Sequence, residues 1–187
     1  MKRQRALTVW EALVIVLVVL VLAAIFMPVS TGERGAAPRA RCLSNVKQLV
    51  LSEIMYSSDF DDRFTRATAW MDAVTPYEKT EEIKRDPEGT KPGQFGYAFR
   101  ERADGEKLTS FLSPAQTILI FDSNLFQRSA HSELWSIPRP GRHKGGNVCG
   151  FVDGHAKVLV SPTPDHPELN DTLQEALKAD DKATTKP

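Results

Sequence analysis

The chain has 187 residues with 24 basic and 24 acidic side chains, so its formal net charge at neutral pH is zero. A charge-balanced chain lacks the basic footprint of nucleic-acid-binding proteins, and no nucleic-acid partner is expected. Its two cysteines, Cys42 and Cys149, are too few for a disulfide scaffold. Once an apolar N-terminal segment is set aside, about 150 residues remain, which suits one domain.

The first predicted element is an apolar helix over residues 7–29, which follows a basic leader peptide at residues 1–6. As a helix it is roughly 34 Å long at about 1.5 Å per residue, against about 30 Å of hydrocarbon in a bilayer. It is predicted to cross the cytoplasmic membrane once, and the basic leader favours a cytoplasmic N-terminus with the head outside. Glu11 lies just inside the apolar run, and acids in such segments usually have a partner.

This arrangement resembles the N-terminal signal of type IV prepilins and type II secretion pseudopilins. In that family a small residue precedes the cut, a hydrophobic residue becomes the new N-terminus, and a Glu occupies its fifth position. Ala6, Leu7 and Glu11 match these positions, although Gly is usual where Ala6 stands and Trp10 is bulkier than the usual residue. The resemblance implies cleavage and methylation by a prepilin peptidase, and pairing of Glu11 with the terminal amine of a neighbouring subunit.

Two other interpretations of the N-terminal segment stay open, namely a plain single-pass anchor and an ordinary cleaved signal peptide. A signal peptide has an apolar region of about 7–15 residues that ends at a small-x-small cleavage site. The run here is longer and contains an acid near its start, and no convincing cleavage site follows it. The prepilin-like signal is therefore favoured.

Residues 30–40 are predicted to break the helix, because they contain two glycines and a proline. A pilin-like head is expected over residues 41–160. It opens with a second helix from about Arg39, marked by an apolar stripe of Leu43, Val46, Leu49, Val50, Ile54 and Met55. A short helix over residues 67–75 follows, and then strands over residues 95–100 and 117–121.

The clearest hairpin signal runs from Asn147 to Val160 and turns on Asp153-Gly154. A two-residue turn would pair Cys149 with Val158. The core face of the hairpin would then carry Cys149, Phe151, Ala156, Val158 and Val160. Residues 161–187 are expected to form a short helix that buries Leu169, Leu173, Ala176 and Leu177, followed by a disordered tail from Ala179.

A second resemblance lies in the same stretch. His143 is followed by nine residues and then by Asp153-Gly154, which resembles the H-x9-DG segment near the C-terminus of many prepilin-type proteins. The resemblance extends, with gaps, from Ala6 to about Leu159. Those proteins often have Cys-Pro where this chain has Asp86-Pro87. Because that cysteine is absent here, two free cysteines are favoured over a Cys42–Cys149 disulfide.

No catalytic, cofactor or metal site is predicted. An unbroken extended strand would hold His143 about 30 Å from the hairpin turn, although Gly145-Gly146 could bend the chain back. Asp153 and His155 are explained more simply as turn and exposed strand residues. Asp59, Asp61 and Asp62 lack the spacing of a calcium loop. No activated nucleophile or glycine-rich phosphate loop is present.

The sequence therefore predicts an α+β fold in which a long, interrupted, transmembrane N-terminal helix packs on a small antiparallel β-sheet head. The expected function is that of a pilin-like or pseudopilin subunit, which a prepilin peptidase processes and which other subunits contact through the N-terminal helix. The alternative is a monomeric membrane-tethered binding module, for example for surface carbohydrate. Its site would be lined by aromatic residues, namely Trp70, Tyr77, Tyr97 and Trp135.

Overall fold

A computed structural model describes residues 8–31, 36–88, 90–143, 146–160 and 172–184, without the side chains of residues 25–31, 36 and 181–184. The chain divides into two compact units at Ala36. The first unit contains helix α1, and the second contains the sheet and all other helices. The predicted leader peptide at residues 1–6 lies outside the described residues.

Helix α1 spans Val9–Thr31. Within the described part of the chain, no helix combines the length and the apolar composition that a bilayer crossing requires. The transmembrane helix predicted over residues 7–29 is therefore wrong, and with it the predicted fold class and the single-pass membrane topology.

Helix α2 spans Ala36–Asp59 and begins earlier than the predicted Arg39. Pro38 lies in its first turn, where the missing N–H of proline has no helical partner to lose. Of the break predicted over residues 30–40, residues 30–31 and 36–40 are instead helical, and residues 32–35 lie outside the described residues. The apolar stripe is confirmed at Val46, Leu49 and Val50, which are fully buried, but Met55 is 51% exposed.

Short elements connect α2 to the sheet. The predicted helix over residues 67–75 is a 3₁₀ turn at Ala67–Ala69 followed by α3 at Trp70–Ala73. Further 3₁₀ turns occupy Thr75–Tyr77, Glu81–Lys84, Glu101–Ala103 and Leu108–Ser110.

The sheet has five strands in the order β3-β1-β2-β4-β5, formed by Tyr97–Arg100 (β1), Ile118–Asp122 (β2), His131–Ser132 (β3), Gly146–Phe151 (β4) and Ala156–Val160 (β5). The predicted strands over residues 95–100 and 117–121 correspond to β1 and β2. All pairings are antiparallel except that of β1 with the two-residue strand β3. The predicted antiparallel sheet is thus mixed at one edge.

The hairpin of β4 and β5 forms where predicted, but its register differs by one residue. Cys149 pairs with Lys157, and Val148 pairs with Val158. The Phe151 amide donates to the His155 carbonyl, and Gly154 has a φ of +94°. This is a three-residue loop with glycine in the left-handed region, rather than a two-residue turn.

A register shift of one residue exchanges the side-chain faces of a strand relative to its partner. Val148 and Val158 accordingly belong to the same core cluster, whereas Cys149 and Phe151 belong to the other one. The predicted single core face is wrong, because both faces of the sheet are covered. Every residue of β1, β2 and β4 is buried.

Helix α2 covers one face of the sheet through Val46, Leu49 and Val50. On the other face, Leu173 of helix α4 (Thr172–Thr184) is fully buried with Phe121 and Leu159. Helix α4 continues through residues 179–184, which the sequence assigned to a disordered tail. Asp180 explains this continuation, because its carboxylate accepts hydrogen bonds from the Ile118 amide at 2.9 Å and from Arg100. Leu169 lies outside the described residues.

Helix α2 packs tightly on the sheet at Gly150. A β-carbon at this position would lie 2.4 Å from Val50 Cγ2 and 2.8 Å from Val46 Cγ1. Gly150→Ala should therefore lower the free energy of unfolding by about 1–3 kcal/mol, as overpacking does, measured by denaturant titration. Val50→Ala in the same chain should recover part of that loss, so that the two effects are less than additive. Additive losses would show that the contact with Val50 is not the cause.

Glu53 of α2 is a buried acid that accepts hydrogen bonds from the Thr65 hydroxyl at 2.8 Å and the Thr65 amide at 3.2 Å. Burial raises its pKa to about 8, against the opposing effect of these bonds. The folded state thus holds a proton that the unfolded state releases near the ordinary pKa of 4.5.

This carboxyl group should make stability fall as pH rises from about 5 to about 8, with a slope of at most about 1.4 kcal/mol per pH unit. Glu53→Gln keeps an acceptor for Thr65 and removes the titration, so its unfolding free energy should change less with pH in that window. Parallel pH profiles for the two proteins would contradict this assignment. Chemical denaturation at several pH values makes the measurement.

Candidate functional site

The predicted processing and assembly residues lie at the start of the first unit. Ala6 and Leu7 are outside the described residues, whereas Glu11 is described and exposed. The Glu11 carboxylate accepts hydrogen bonds from the Thr8 amide at 2.8 Å and from the Thr8 hydroxyl at 2.9 Å. The Glu11 amide in turn donates to the Thr8 hydroxyl at 3.4 Å.

This reciprocal arrangement is a capping box, in which residues three positions apart satisfy the free N–H groups of a helix start. The hydrogen bonds from Thr8 lower the pKa of Glu11 and keep it ionised. Glu11 therefore has a local role at the start of α1, which the sequence interpretation did not consider.

The three residues of the H-x9-DG segment do not form one site. Asp153 and Gly154 form the hairpin loop, and Asp153 accepts a hydrogen bond from the His155 amide at 3.1 Å. Burial opposes ionisation of Asp153, but the hydrogen bonds from His155 outweigh it and lower its pKa. The described contacts of His143 are instead with Asp122 and Glu88.

His143 belongs to a group of buried side chains that we call the buried cluster, namely Cys42, Asp86, Asp122 and His143. One ligand-type atom from each of the four lies within 4.8 Å of the others. Among the described residues, this is the place where three or more side chains of the metal-ligating types come together. The sequence analysis predicted no metal site here.

Four separate parts of the second unit position these side chains. Cys42 is in the first half of α2, and Asp122 is the last residue of β2. His143 precedes β4 and exchanges backbone hydrogen bonds with Gly146 at 3.0 and 3.2 Å, because the two residues form an isolated bridge. Asp86 follows a 3₁₀ turn and caps its own loop by accepting from the Glu88 amide at 2.9 Å.

Asp122 is central to the buried cluster. One carboxylate oxygen accepts from the Val148 amide at 2.6 Å and lies 3.4 Å from His143 Nε2. The other oxygen accepts from the Cys42 thiol, at 3.4 Å from its sulfur. The carboxylate therefore joins α2, β4 and the segment before β4.

Arg142 neutralises Asp86. Its Nη1 atom lies 2.7 Å from an Asp86 carboxylate oxygen, and it also donates to the Gly96 carbonyl at 3.1 Å. Gly96 leaves the space for this pair, because a β-carbon there would lie 2.4 Å from Asp86 Cβ. Among the described contacts, Arg142 is the permanently charged cation of the buried cluster.

The two ring nitrogens of His143 have different surroundings. Nδ1 is in direct contact with the Glu88 carboxylate. Nε2 is buried, faces Asp122 at 3.4 Å and has no partner of hydrogen-bond geometry. Burial opposes protonation of the ring, but Asp122 and Glu88 outweigh it and raise the pKa of His143.

Both cysteines are free, as expected, and both are buried, although burial was expected only of Cys149. The hydroxyl of Tyr97 donates to the Cys42 sulfur at 3.3 Å. Burial is the main cause that raises the pKa of Cys42, and the negative charges of Asp122 and Asp86 add to it. Cys149, on the opposite face of the sheet, is fully buried, which raises its pKa as well.

The other candidates from the sequence do not form sites. Asp59, Asp61 and Asp62 are exposed, and Asp59 accepts a hydrogen bond from the Tyr77 hydroxyl at 2.7 Å. Trp70 and Tyr97 are fully buried in the core, whereas Trp135 is 71% exposed. The aromatic lining expected of a carbohydrate-binding site is therefore not assembled.

In comparisons with known proteins, no protein-family model, curated protein or solved structure matches this chain.

Sequence reasoning missed Asp86, Asp122 and the role of Cys42 in the cluster. These residues are far apart in the chain and form no spacing motif. Two weak signals were present. Asp122 ends an otherwise apolar strand, and Asp86 stands where the resemblance to prepilin-type proteins would place a cysteine close to Cys42.

Removing the central carboxylate should be costly. Asp122→Ala leaves the Val148 amide, the Cys42 thiol and the His143 ring without their buried carboxylate, so we expect a loss of about 3–5 kcal/mol in unfolding free energy. Asp72→Ala is the matched control, since the Asp72–Arg128 pair is at the surface and such pairs contribute about 0–1 kcal/mol. Equal losses in the two variants, measured by chemical denaturation, would contradict this role for Asp122.

Proposed function

We propose that the protein is a pilin-like or pseudopilin subunit. A prepilin peptidase cuts between Ala6 and Leu7 and methylates the new amine. The processed chains then assemble side by side through α1, and the second unit forms the outer surface of the assembly. No catalytic role is proposed for the chain itself.

The observation that carries this proposal is the apolar surface of α1. Every large apolar side chain from Val9 to Leu22 is between 42% and 81% exposed. A contiguous apolar surface of this kind marks an interaction site in a protein. The α1 helices of other subunits supply a complementary surface, because apolar side chains surround this helix on all sides.

Glu11 supports the same proposal through charge. In the capping box its carboxylate faces the Thr8 amide, one residue from the amine that cleavage before Leu7 would create. A lowered pKa keeps Glu11 negatively charged, as pairing with a positive amine requires. The capping box also provides a second explanation for the acid, and an experiment must separate the two.

Intact mass and N-terminal sequencing of the protein purified from its native cells test the processing step. The proposal expects a chain that starts at N-methyl-Leu7. A chain that starts at Met1, or one cut far downstream, would overturn it.

Two substitutions at Glu11 separate charge pairing from helix capping. Gln also serves in a capping box, so Glu11→Gln keeps the helix start but removes the charge, whereas Glu11→Ala removes both. Assembly through charge pairing predicts that both variants lose most of their incorporation into fibres, measured in sheared or pelleted fractions. Glu82→Ala, at an exposed acid of the second unit, should assemble normally. Normal assembly of Glu11→Gln would assign the residue to capping alone.

A further inference from the structure

We propose that the buried cluster is a binding site for one divalent cation of the zinc class, held by Cys42, Asp122 and His143 and completed by Asp86. The proposal is independent of the proposed function, since it concerns the second unit alone.

The donor set favours zinc over other cations. Thiolate, imidazole and carboxylate are the three ligand types that Zn²⁺ takes, at about 2.0–2.3 Å from the metal and in tetrahedral geometry. Calcium and magnesium prefer oxygen ligands alone. The buried cluster offers one sulfur, one ring nitrogen and two carboxylates, so it fits a borderline cation.

The spacing of the donor atoms fits the same coordination. Two ligand atoms on a tetrahedron with bonds of about 2.1 Å are about 3.4 Å apart. Cys42 Sγ lies 3.4 Å from one Asp122 oxygen, and His143 Nε2 lies 3.4 Å from the other. The four donors lie within 4.8 Å of one another, and binding requires the Asp122 carboxylate to rotate so that one of its oxygens occupies a vertex of the tetrahedron.

His143 provides the observation that points to a ligand. Its Nε2 atom is fully buried in the cluster and faces Asp122 at 3.4 Å, without a partner of hydrogen-bond geometry, which is costly for a polar atom. Its Nδ1 atom contacts Glu88. A metal-ligating histidine almost always places its other nitrogen against a carboxylate or carbonyl, which fixes the tautomer and the ring.

The charge of the cluster accommodates a cation. Three carboxylates, those of Asp86, Glu88 and Asp122, surround the ring, and the described ion pairs set Arg142 against them. On binding, the Cys42 thiol releases its proton to solvent and coordinates as thiolate, so zinc adds one net positive charge. A protonated His143 ring without metal adds the same charge, so the two arrangements are equal in charge.

The position of the site assigns the cation a structural role. All four donors are buried, and structural zinc sites are closed in this way, whereas catalytic ones keep an open position. The cation would join α2 to the end of β2 and to the segment before β4. The competing arrangement is a protonated His143 ring between Asp122 and Glu88, with no metal.

The experiment uses the untagged full chain in detergent solution, because histidine tags bind zinc and α1 exposes apolar side chains. Metal content is measured by mass spectrometry, thermal unfolding is recorded with zinc and with EDTA, and cobalt is added as a spectroscopic probe. We expect one zinc per chain, a midpoint that rises with zinc concentration, and a thiolate-to-cobalt absorption band.

Variants locate the ligands. Cys42→Ser and His143→Gln should lose the bound metal and the cobalt band. Cys149→Ala, at the other buried thiol, should keep both. Glu88→Gln should weaken zinc binding by about 10–100-fold, as loss of an outer carboxylate does.

Three results would overturn the proposal. One is a folded wild-type chain that takes up no zinc or cobalt and has the same midpoint in EDTA. Another is unchanged binding in both Cys42→Ser and His143→Gln. The third is an NMR spectrum in excess zinc in which both ring nitrogens of His143 carry protons, since this would establish the metal-free arrangement.

Discussion

The contact between α2 and the interior strand β4 is the constraint on which the second unit depends. Val46 and Val50 pack where Gly150 has no side chain, so the helix approaches the sheet more closely than any larger residue would permit. The same helix carries Cys42 one turn before Val46. The tight contact therefore brings a thiol to the end of β2, where Asp122 lies.

Burial of both sheet faces then determines the chemistry of the polar groups. A sheet with one solvated face would leave Asp122 and His143 in water, where their charges would be screened. Here α2 covers one face and α4 the other, so the carboxylates, the thiol and the ring interact in a medium of low dielectric constant. Buried charges must be paired or must coordinate metals. The links between Arg142 and Asp86 and between Glu88 and His143 follow from this requirement.

The two units differ in where their apolar side chains lie and in how their polar side chains are satisfied. In the second unit, the apolar side chains of α2, the sheet and α4 form two buried clusters, and buried charges such as those of Arg100 and Asp86 are paired inside the fold. In the first unit, α1 keeps its large apolar side chains exposed, while its polar residues Thr8 and Glu11 satisfy each other at the helix start. Such a helix has its N-terminal N–H groups capped but its sides uncovered, and this is why assembly is proposed through its sides.

The sequence by itself determined the local elements, because helical spacing, Asp-Gly turns and β-branched runs act over a few residues. It correctly placed α2, β1, β2 and the hairpin, and it singled out His143. The tertiary structure alone decided the hairpin register, the burial of both sheet faces, and the meeting of Cys42, Asp86, Asp122 and His143. These features depend on contacts between residues far apart in the chain. A shift of one residue in strand pairing exchanges the faces of a strand, and no spacing motif in the sequence indicates which distant side chains meet.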